Sequence, residues 1–319
     1  MAENSKIEWT DHTFNPWIGC QAISPACTNC YAAAWAKRYG RDFAERKRTS
    51  AANWREPLKW EKQHAAFFAE HGRRQRVFCA SLADVFDNQV PAEWRADLFE
   101  LIEKTPHLNW LLLTKRIGNA AGMQPALWTR GYGIPPHVWL GATIANQEEA
   151  DRDIPKLLAT PAAVRFLSME PLLGPVTLRR EWLSPGPAVN LAQPWAPPDY
   201  SLVRVHWVIT GGESGPGARP SHPDWFRSLR DQCQAAGVPY LHKQNGEWLH
   251  ALQFTDDLLA KTPAFSNKWP NALWDEDAGC WEFGLSDEDC NGGGVWMCRV
   301  GKKAAGRLLD GRTWDGFPK

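Results

Sequence analysis

The feature that most constrains the fold of this chain is a series of seven short apolar runs, each leading into small or polar residues. The runs are dense in Val, Leu, Phe and Trp, which predicts strands buried on both faces of a parallel sheet. They are Thr13–Gly19, Arg76–Ser81, Asn109–Lys115, His137–Thr143, Val164–Glu170, His206–Gly212 and Pro239–Gln244.

Segments with helical spacing separate the runs, most clearly Ala92–Lys104, Gln147–Ala159 and Pro223–Ala236. The last of these is followed by Gly237, which is typical of a helix end. Strands that alternate with helices predict an α/β fold with right-handed crossovers. Seven strands in this order favour a partial or full parallel (β/α) barrel, since no G-x-G-x-x-G follows the first strand.

Two stretches interrupt the alternation. A Pro-rich segment near 181–201 predicts a loop insertion. From 249 to 319 the alternation is lost, so we expect a barrel domain over 1–248 and an irregular C-terminal extension or cap over 249–319. We interpret the three cysteines of this extension as ordinary cysteines, because nine and seven residues separate them and no C-x-x-C occurs. They are Cys280, Cys290 and Cys298.

The overall charge does not indicate a nucleic-acid partner, because the 319 residues carry a formal net charge of zero. Lys and Arg outnumber acids twelve to five over 37–76, whereas acids outnumber lysines nine to two over 251–290. These segments are either solvated faces or, over 37–76, a basic surface for a phosphate-bearing substrate. With no apolar run of membrane length and no signal-peptide stretch, we expect a cytoplasmic protein that makes no membrane contact.

Three cysteines stand close together after the first predicted strand, in the run GCQAISPACTNCYA. Six residues separate Cys20 from Cys27, and two separate Cys27 from Cys30. Three clustered thiolates can hold three irons of a 4Fe–4S cluster and leave the fourth iron open for a small molecule. The alternative is a structural zinc site, closed by a fourth ligand such as His12 or Cys79.

Polar residues follow most of the predicted strands, where a (β/α) barrel places its chemistry. Asp84 follows the second strand and is a candidate to hold a cofactor amino group, or else a helix N-cap. In TGGESGPGARP, glycines permit close backbone approach, and Glu213 either accepts from an ammonium group or is merely solvated. The further candidates for cofactor binding are Tyr31, Thr143, Glu170, Gly211 and Gly212, and Thr143 and Asn146 could hydrogen-bond a ribose.

Basic residues at the strand ends are candidates for substrate binding, because they pair with carboxylate or phosphate groups. Lys115 and Arg116 follow the third predicted strand, and Arg219 ends the glycine-rich stretch. Lys243 lies at the end of the last strand, where it or Arg116 could also partner a buried Glu170.

The cysteine run and its place after the first strand resemble the radical S-adenosylmethionine enzymes. The usual first gap in that superfamily is three residues, and an aromatic residue precedes the third cysteine, where this chain has Asn29. The resemblance implies a 4Fe–4S cluster whose open iron binds S-adenosyl-L-methionine. One electron then cleaves this cofactor and starts radical chemistry, with an electron donor such as flavodoxin or ferredoxin.

A closer resemblance is to the phage-associated three-Cys-motif proteins of unknown function. It rests on the motifs IEWTDHTFNPWIGC, CTNCYA, LSMEPLLGP, VITGGESGPGARP and GKKAAGRLLDGRTWDGFP. The phage association suggests a nucleic-acid base or a nucleotide as the substrate. A zinc-stabilised, non-catalytic module that binds nucleic acid or protein is the alternative. A metal-dependent hydrolase is a third reading, weakened because His242 is the main histidine at a predicted strand end.

Overall fold

A parallel sheet of seven strands forms the centre of the fold in the computed structural model, which describes residues 5–130, 133–184, 203–254, 271–284 and 294–318. The strands in chain order are β1 (His12–Thr13), β2 (Trp17–Ile18), β3 (Lys47–Arg48), β4 (Gln75–Cys79), β5 (Leu108–Thr114), β6 (Val138–Thr143), β7 (Val164–Met169), β8 (Trp207–Gly211), β9 (Tyr240–Gln244), β10 (Trp248–His250), β11 (Asn271–Asp275), β12 (Cys280–Phe283) and β13 (Trp296–Arg299). The central sheet has the order β1-β4-β5-β6-β7-β8-β9.

Helices connect the parallel strands, and the last described helix follows β13. They are α1 (Tyr31–Arg38), α2 (Ala51–Trp54), α3 (Glu56–Lys62), α4 (His64–His71), α5 (Ala92–Glu103), α6 (Ile117–Met123), α7 (Ala126–Arg130), α8 (Gln147–Ala159), α9 (Arg180–Leu183), α10 (Pro223–Ala236) and α11 (Lys302–Ala305). The apolar faces of α8 and α10 pack on the convex side of the sheet, burying Ile154, Leu157 and Leu229. Among the described residues, no helix is both long enough and apolar enough to cross a bilayer.

The sheet curls into a partial barrel around Trp9. The ring centroid of Trp9 lies 4.6 Å from that of Phe78 on β4 and 6.4 Å from that of Trp207 on β8. In a flat sheet these strands, four positions apart, would be about 19 Å from each other, so one indole reaches both only because the sheet is strongly curved. This architecture confirms the predicted α/β partial barrel.

The predicted strands agree closely with β4 to β9, and the three predicted helices correspond to α5, α8 and α10. The first predicted strand, Thr13–Gly19, was wrong in its extent. Only His12–Thr13 pairs with β4, whereas Trp17–Ile18 pairs antiparallel with β3. Pro16 separates the two pieces and has no N–H to donate to a strand ladder.

A second, antiparallel sheet of order β10-β13-β11-β12 follows the barrel, and the sequence had not indicated these strands. Cys280 is exposed on β12 and Cys298 is half-buried on β13, whereas Cys290 lies outside the described residues. Most of the Pro-rich segment 181–201 also lies outside them. The division between domains at 248 and 249 stays a prediction.

The described chain returns to the barrel after α11. The backbone N–H of Gly316 donates to the carbonyl of Tyr240 over 2.9 Å, and Leu241 forms an antiparallel bridge with Asp315. The Phe317 ring then packs against Trp207 at a centroid distance of 5.2 Å. The last described residues therefore cover the outer edge of β9.

Candidate functional site

The first cysteine is placed by the glycine before it. Gly19 has a φ of +111°, and a Cβ atom there would lie 2.1 Å from the carbonyl oxygen of Glu45, so only glycine fits. The N–H of Gly19 donates to Leu82 over 3.1 Å, and that of Cys20 donates to Phe43 over 2.9 Å. These bonds hold Cys20 beside the carboxyl end of β4.

The second and third cysteines lie on a tight turn. Cys27 ends a single 3-10 turn that begins at Pro25 and is capped by the side chain of Ser24. The N–H of Cys30 donates to the carbonyl of Cys27 over 3.3 Å, and Cys30 is itself the N-cap of α1. All three thiols are free and half-buried. We call residues 20–30 the cysteine loop.

Arg116, at the end of β5, joins the start of the cysteine loop to the barrel. Its Nη1 lies 3.3 Å from Cys20 Sγ and 3.4 Å from Asp84 Oδ2, and its Nη2 donates to the carbonyl of Gln21 over 2.8 Å. Burial raises the pKa of the Cys20 thiol, although Arg116 acts in the opposite direction. Arg116 therefore contacts a proposed metal ligand directly, as well as being a candidate for substrate binding.

Asp84 is buried and its carboxylate already has several partners. Oδ1 accepts from Thr114 Oγ1 over 2.6 Å and from the N–H of Phe86 over 3.0 Å, and Oδ2 accepts from the N–H of Lys115 over 2.9 Å. No helix begins at Asp84, so the N-cap interpretation was wrong. These bonds connect the ends of β4 and β5, and the contact of Asp84 with a cofactor stays a prediction.

Glu213, which follows β8, contacts the far side of the cysteine loop. Its Oε2 accepts from Asn29 Nδ2 over 3.0 Å and from Arg219 Nε over 2.8 Å, while its Oε1 accepts from Arg219 Nη2 over 2.6 Å. Burial opposes ionisation of Glu213, but the hydrogen bonds from Arg219 and Asn29 lower its pKa below the usual value. Glu213 therefore pairs with Arg219 of the chain itself, whereas the sequence had suggested an ammonium group of a ligand as its partner.

The rest of the glycine-rich stretch completes this contact. Asn29 Nδ2 also donates to the carbonyl of Gly217 over 2.7 Å, and Arg219 Nη2 donates to the carbonyl of Pro25 over 3.0 Å. A Cβ atom on Gly217 would lie 2.9 Å from Asn29 Oδ1. The motif TGGESGPGARP therefore docks on the cysteine loop.

A third attachment was missed by sequence reasoning. Glu149, on the first turn of α8, accepts from Ser24 Oγ over 2.6 Å and from the N–H of Ala145 over 2.8 Å. Its side chain is 3% exposed. The side chain of Asn146, which we had expected at a ribose, caps α8 by accepting from the N–H of Glu149 over 2.9 Å. The Asn-x-x-Glu spacing was the available signal for a capping box.

The inner face of the barrel carries a second group of predicted residues near its mouth, the carboxyl edge of the curved sheet. Lys243 Nζ lies 2.9 Å from both oxygens of Glu170, and Gln244 Nε2 donates to Glu170 Oε1 over 2.5 Å. A Cβ atom on Gly211 would lie 3.0 Å from Glu170 Cδ. Gly211 thus makes room for the glutamate, and Glu170 pairs with Lys243 as the sequence suggested.

The remaining predicted residues lie around the same mouth. Lys115 Nζ is 3.5 Å from Thr143 Oγ1, and the hydroxyl of Tyr31 donates to the carbonyl of Ser81. A Cβ atom on Gly212 would lie 2.1 Å from the carbonyl oxygen of Asn245, so backbone packing accounts for this glycine. The structure thus brings Lys115 and Thr143 together at the mouth, with Tyr31 beside the end of β4.

Comparison with known proteins identifies the family. A family model described as "Protein of unknown function (DUF5131)" matches residues 4–318. The chain belongs to this family. A search of curated proteins found no match.

The search of solved structures found similarity between this DUF5131 chain and three structures of spore photoproduct lyase. One is a double mutant with bound AdoMet and dinucleoside spore photoproduct, with a TM-score of 0.38 at 11% identity. The match covers 88% of this chain and 69% of the chain of that structure. A single mutant with the dinucleoside spore photoproduct has a TM-score of 0.36 at 11% identity, with coverages of 86% and 68%. The lyase complexed with the same compound has a TM-score of 0.32 at 10% identity, with coverages of 88% and 68%.

The arrangement of the cysteines in this DUF5131 chain differs from that of a closed zinc site. Thiolates on one zinc ion lie about 4 Å apart. Among the described residues, no group of three ligand atoms within 4.8 Å of one another includes Cys20, Cys27 or Cys30. The suggested fourth ligands are engaged elsewhere: Cys79 is fully buried in the core, and the His12 ring stacks on that of Trp60 with centroids 4.2 Å apart. Thiolates that bind separate irons of one cluster need no such close approach.

Proposed function

We propose that this chain is an iron–sulfur enzyme of the radical S-adenosylmethionine type, in which Cys20, Cys27 and Cys30 bind a 4Fe–4S cluster. One observation carries the proposal: side chains from three different strand ends hold the cysteine loop at the mouth of the partial barrel. Arg116 follows β5, Glu149 follows β6, and Glu213 follows β8. The carboxyl ends of the strands are where barrel enzymes carry out their chemistry.

The donor set of the loop fits such a cluster. Three half-buried thiols come from one short loop, and the loop offers no fourth cysteine. Three protein thiolates leave one iron open for S-adenosyl-L-methionine. When bound, the cluster would supply the electron that cleaves this cofactor, and an external donor such as flavodoxin or ferredoxin would reduce the cluster again.

The polar residues divide into two roles. Glu213 positions the cysteine loop through Asn29, and Asp84 does so through Arg116, because their oxygens already accept hydrogen bonds from the chain itself. Tyr31, Thr143 and Glu170 lie around the mouth and are proposed to contact the cofactor. In this proposal Glu170 accepts a hydrogen bond from the amino group of the cofactor. Its ion pair with Lys243 would then have to break or shift.

The substrate class is a nucleic-acid base or a nucleotide. Supporting features are the basic segment 37–76 and the cations near the mouth, Lys115 and Arg116. The segment from 249 onwards is proposed to act as a cap on the barrel, and the protein as a whole to work in the cytoplasm.

Anaerobic purification followed by iron and sulfide analysis tests this proposal. We expect a brown protein with about four irons per chain, and 5′-deoxyadenosine after reduction in the presence of S-adenosyl-L-methionine. Cys27→Ala should abolish both. Cys280→Ala is the matched control, because Cys280 is exposed on β12, and it should abolish neither. One zinc per chain, with no iron and no cofactor cleavage, would instead identify the zinc-stabilised binding module.

A further inference from the structure

A polar cleft of about 430 Å³ lies directly beside the cysteine loop. Gln21 and Ile23 of the loop line it, together with residues that lead from β5 into α6. Helix α8 contributes Arg152 and Lys156 to the lining. A volume in this range accommodates a nucleotide-sized ligand, and the polar lining does not suit an apolar one.

The charges that line the cleft are mostly positive. Four cations, Lys115, Arg116, Arg152 and Lys156, face a single acid, Asp153. Asp153 serves two of them, since its carboxylate lies 2.6 Å from Arg152 Nη2 and 2.9 Å from Lys156 Nζ. Both cations are 45% exposed, so their remaining donors are open to a ligand.

Acids just outside the lining reduce this excess but do not reverse it. Asp84 and Asp87 both lie near Arg116, but Asp87 also pairs with Arg46 over 2.6 Å. Glu149 is 3.7 Å from Arg152 and accepts the shorter bond from Ser24.

Lys115 is the lining cation whose ammonium group is most available to bind an anion. Its Nζ is 3.5 Å from Thr143 Oγ1, and within the described part of the chain no carboxylate lies at ion-pair distance from it. Lys115 belongs both to the cleft and to the mouth of the barrel, so an anion held there would sit beside the cysteine loop. The amides of Gln21, Asn88 and Gln89 add neutral groups of the kind that contact phosphate oxygens.

We propose that this cleft binds the phosphate of a nucleotide and that Lys115, Arg152 and Lys156 neutralise its charge. The inference rests on the proposed function only in treating the bound nucleotide as substrate, because binding itself requires no cluster. The phosphate could belong to a free nucleotide or to a nucleic-acid strand, which share the same recognition chemistry.

Calorimetric titration of the full chain with three probes tests the inference. The probes are a deoxynucleoside 5′-monophosphate, the matching nucleoside, and a short single-stranded oligonucleotide without a terminal phosphate. We expect saturable binding of at least one phosphate-bearing probe and weaker or no binding of the nucleoside. Tighter binding of the monophosphate indicates a free nucleotide, and tighter binding of the oligonucleotide indicates a strand. Equal affinity for the nucleoside, or no binding of any probe, would overturn the inference.

Charge-removing variants locate the site. Lys156→Gln and Lys115→Gln should each weaken binding roughly three- to tenfold, and for the oligonucleotide each should reduce the salt slope by about one. Lys104→Gln is the matched control, because Lys104 also pairs with an acid one helical turn away but lies at the opposite edge of the sheet. An equal loss in Lys104→Gln would contradict the assignment.

A parallel titration of Cys27→Ala separates the two proposals. Phosphate binding that persists without iron, together with no cofactor cleavage by the wild-type chain, would refute the iron–sulfur proposal alone. Normal iron content and cofactor cleavage without phosphate binding would refute the cleft alone.

Discussion

A single nitrogen of Arg116, Nη1, lies 3.3 Å from the sulfur of Cys20 and 3.4 Å from a carboxylate oxygen of Asp84. The arginine side chain is 8% exposed and that of Asp84 is 6% exposed. A buried charge pair at the end of the sheet therefore fixes the position of the first cysteine.

Replacing this arginine should affect both stability and iron binding. Arg116→Gln leaves Asp84 buried with only neutral partners, so we expect the free energy of unfolding to fall by about 3 kcal/mol. Iron per chain should fall as well, because the start of the cysteine loop loses its anchor. Urea denaturation and iron analysis measure both effects. Arg179→Gln, which removes an exposed pair with Asp151, is the control and should change neither.

Removing the charge of Glu213 should loosen the other end of the cysteine loop. Glu213→Gln loses the ionic bonds to Arg219, and we expect a stability loss of about 1–3 kcal/mol. Amide hydrogen exchange should increase over residues 25–30, since Pro25 and Asn29 are bound through this network. Glu282→Gln on the exposed strand β12 is the control. Unchanged exchange in Glu213→Gln would show that the loop is held by its other contacts.

Gly19 should tolerate no side chain. Gly19→Ala places a Cβ atom 2.1 Å from a backbone oxygen at a φ of +111°, so we expect a loss of at least about 3 kcal/mol. Gly72→Ala is the matched control, because Gly72 also has a positive φ but has open space around its Cβ position. That variant should lose only about 1 kcal/mol. Equal losses in urea denaturation would mean that the contact with Glu45 is easily relieved.

Stability should fall with acid through a buried histidine. Burial lowers the pKa of His242 to about 4, and its ring joins Thr210 through Nδ1, over 3.1 Å, to Asn245 through Nε2, over 2.9 Å. Because the unfolded pKa is about 6.5, the neutral ring contributes its full stability above that pH. The contribution, about 3 kcal/mol, is lost as the pH falls towards 4.

His242→Gln removes this titration and should flatten the dependence of unfolding free energy on pH between 6.5 and 4. Other histidines still titrate in this variant. The quantity to compare is therefore the difference between the wild type and the variant in the slope of unfolding free energy against pH. Parallel slopes for the wild type and the variant would show that His242 is already accessible to protons in the folded state.

Local patterns predicted the barrel because its strands and helices are each defined by their own residues. The helices α8 and α10 begin and end at the predicted residues, and β6 to β9 fall within the predicted runs, whereas β4 and β5 each begin one residue before theirs. The sequence did not reveal the sheet β10 to β13, because its strands of three to five residues lack the strand–helix alternation that marks the barrel.

The site was predictable only in part, because its contacts join distant segments. The cysteines and the pairing of Glu170 with Lys243 could be proposed from residue type and strand position. The bond from Asn29 to Glu213 spans 184 residues, and the one from Ser24 to Glu149 spans 125. No local spacing encodes such contacts, so neither interpretation of Glu213 from the sequence, a ligand contact or a solvated side chain, included its bonds to the cysteine loop and Arg219.

The return of the chain to β9 has a practical consequence for any engineered form. Backbone groups of Trp314 and Gly316 bond to the strand edge that no other described strand covers. A bulky fusion or a deletion that displaced these residues would leave a bare row of amides and carbonyls, which invites self-association through strand pairing. An affinity tag on the C-terminal side of these residues should therefore be joined through a long spacer.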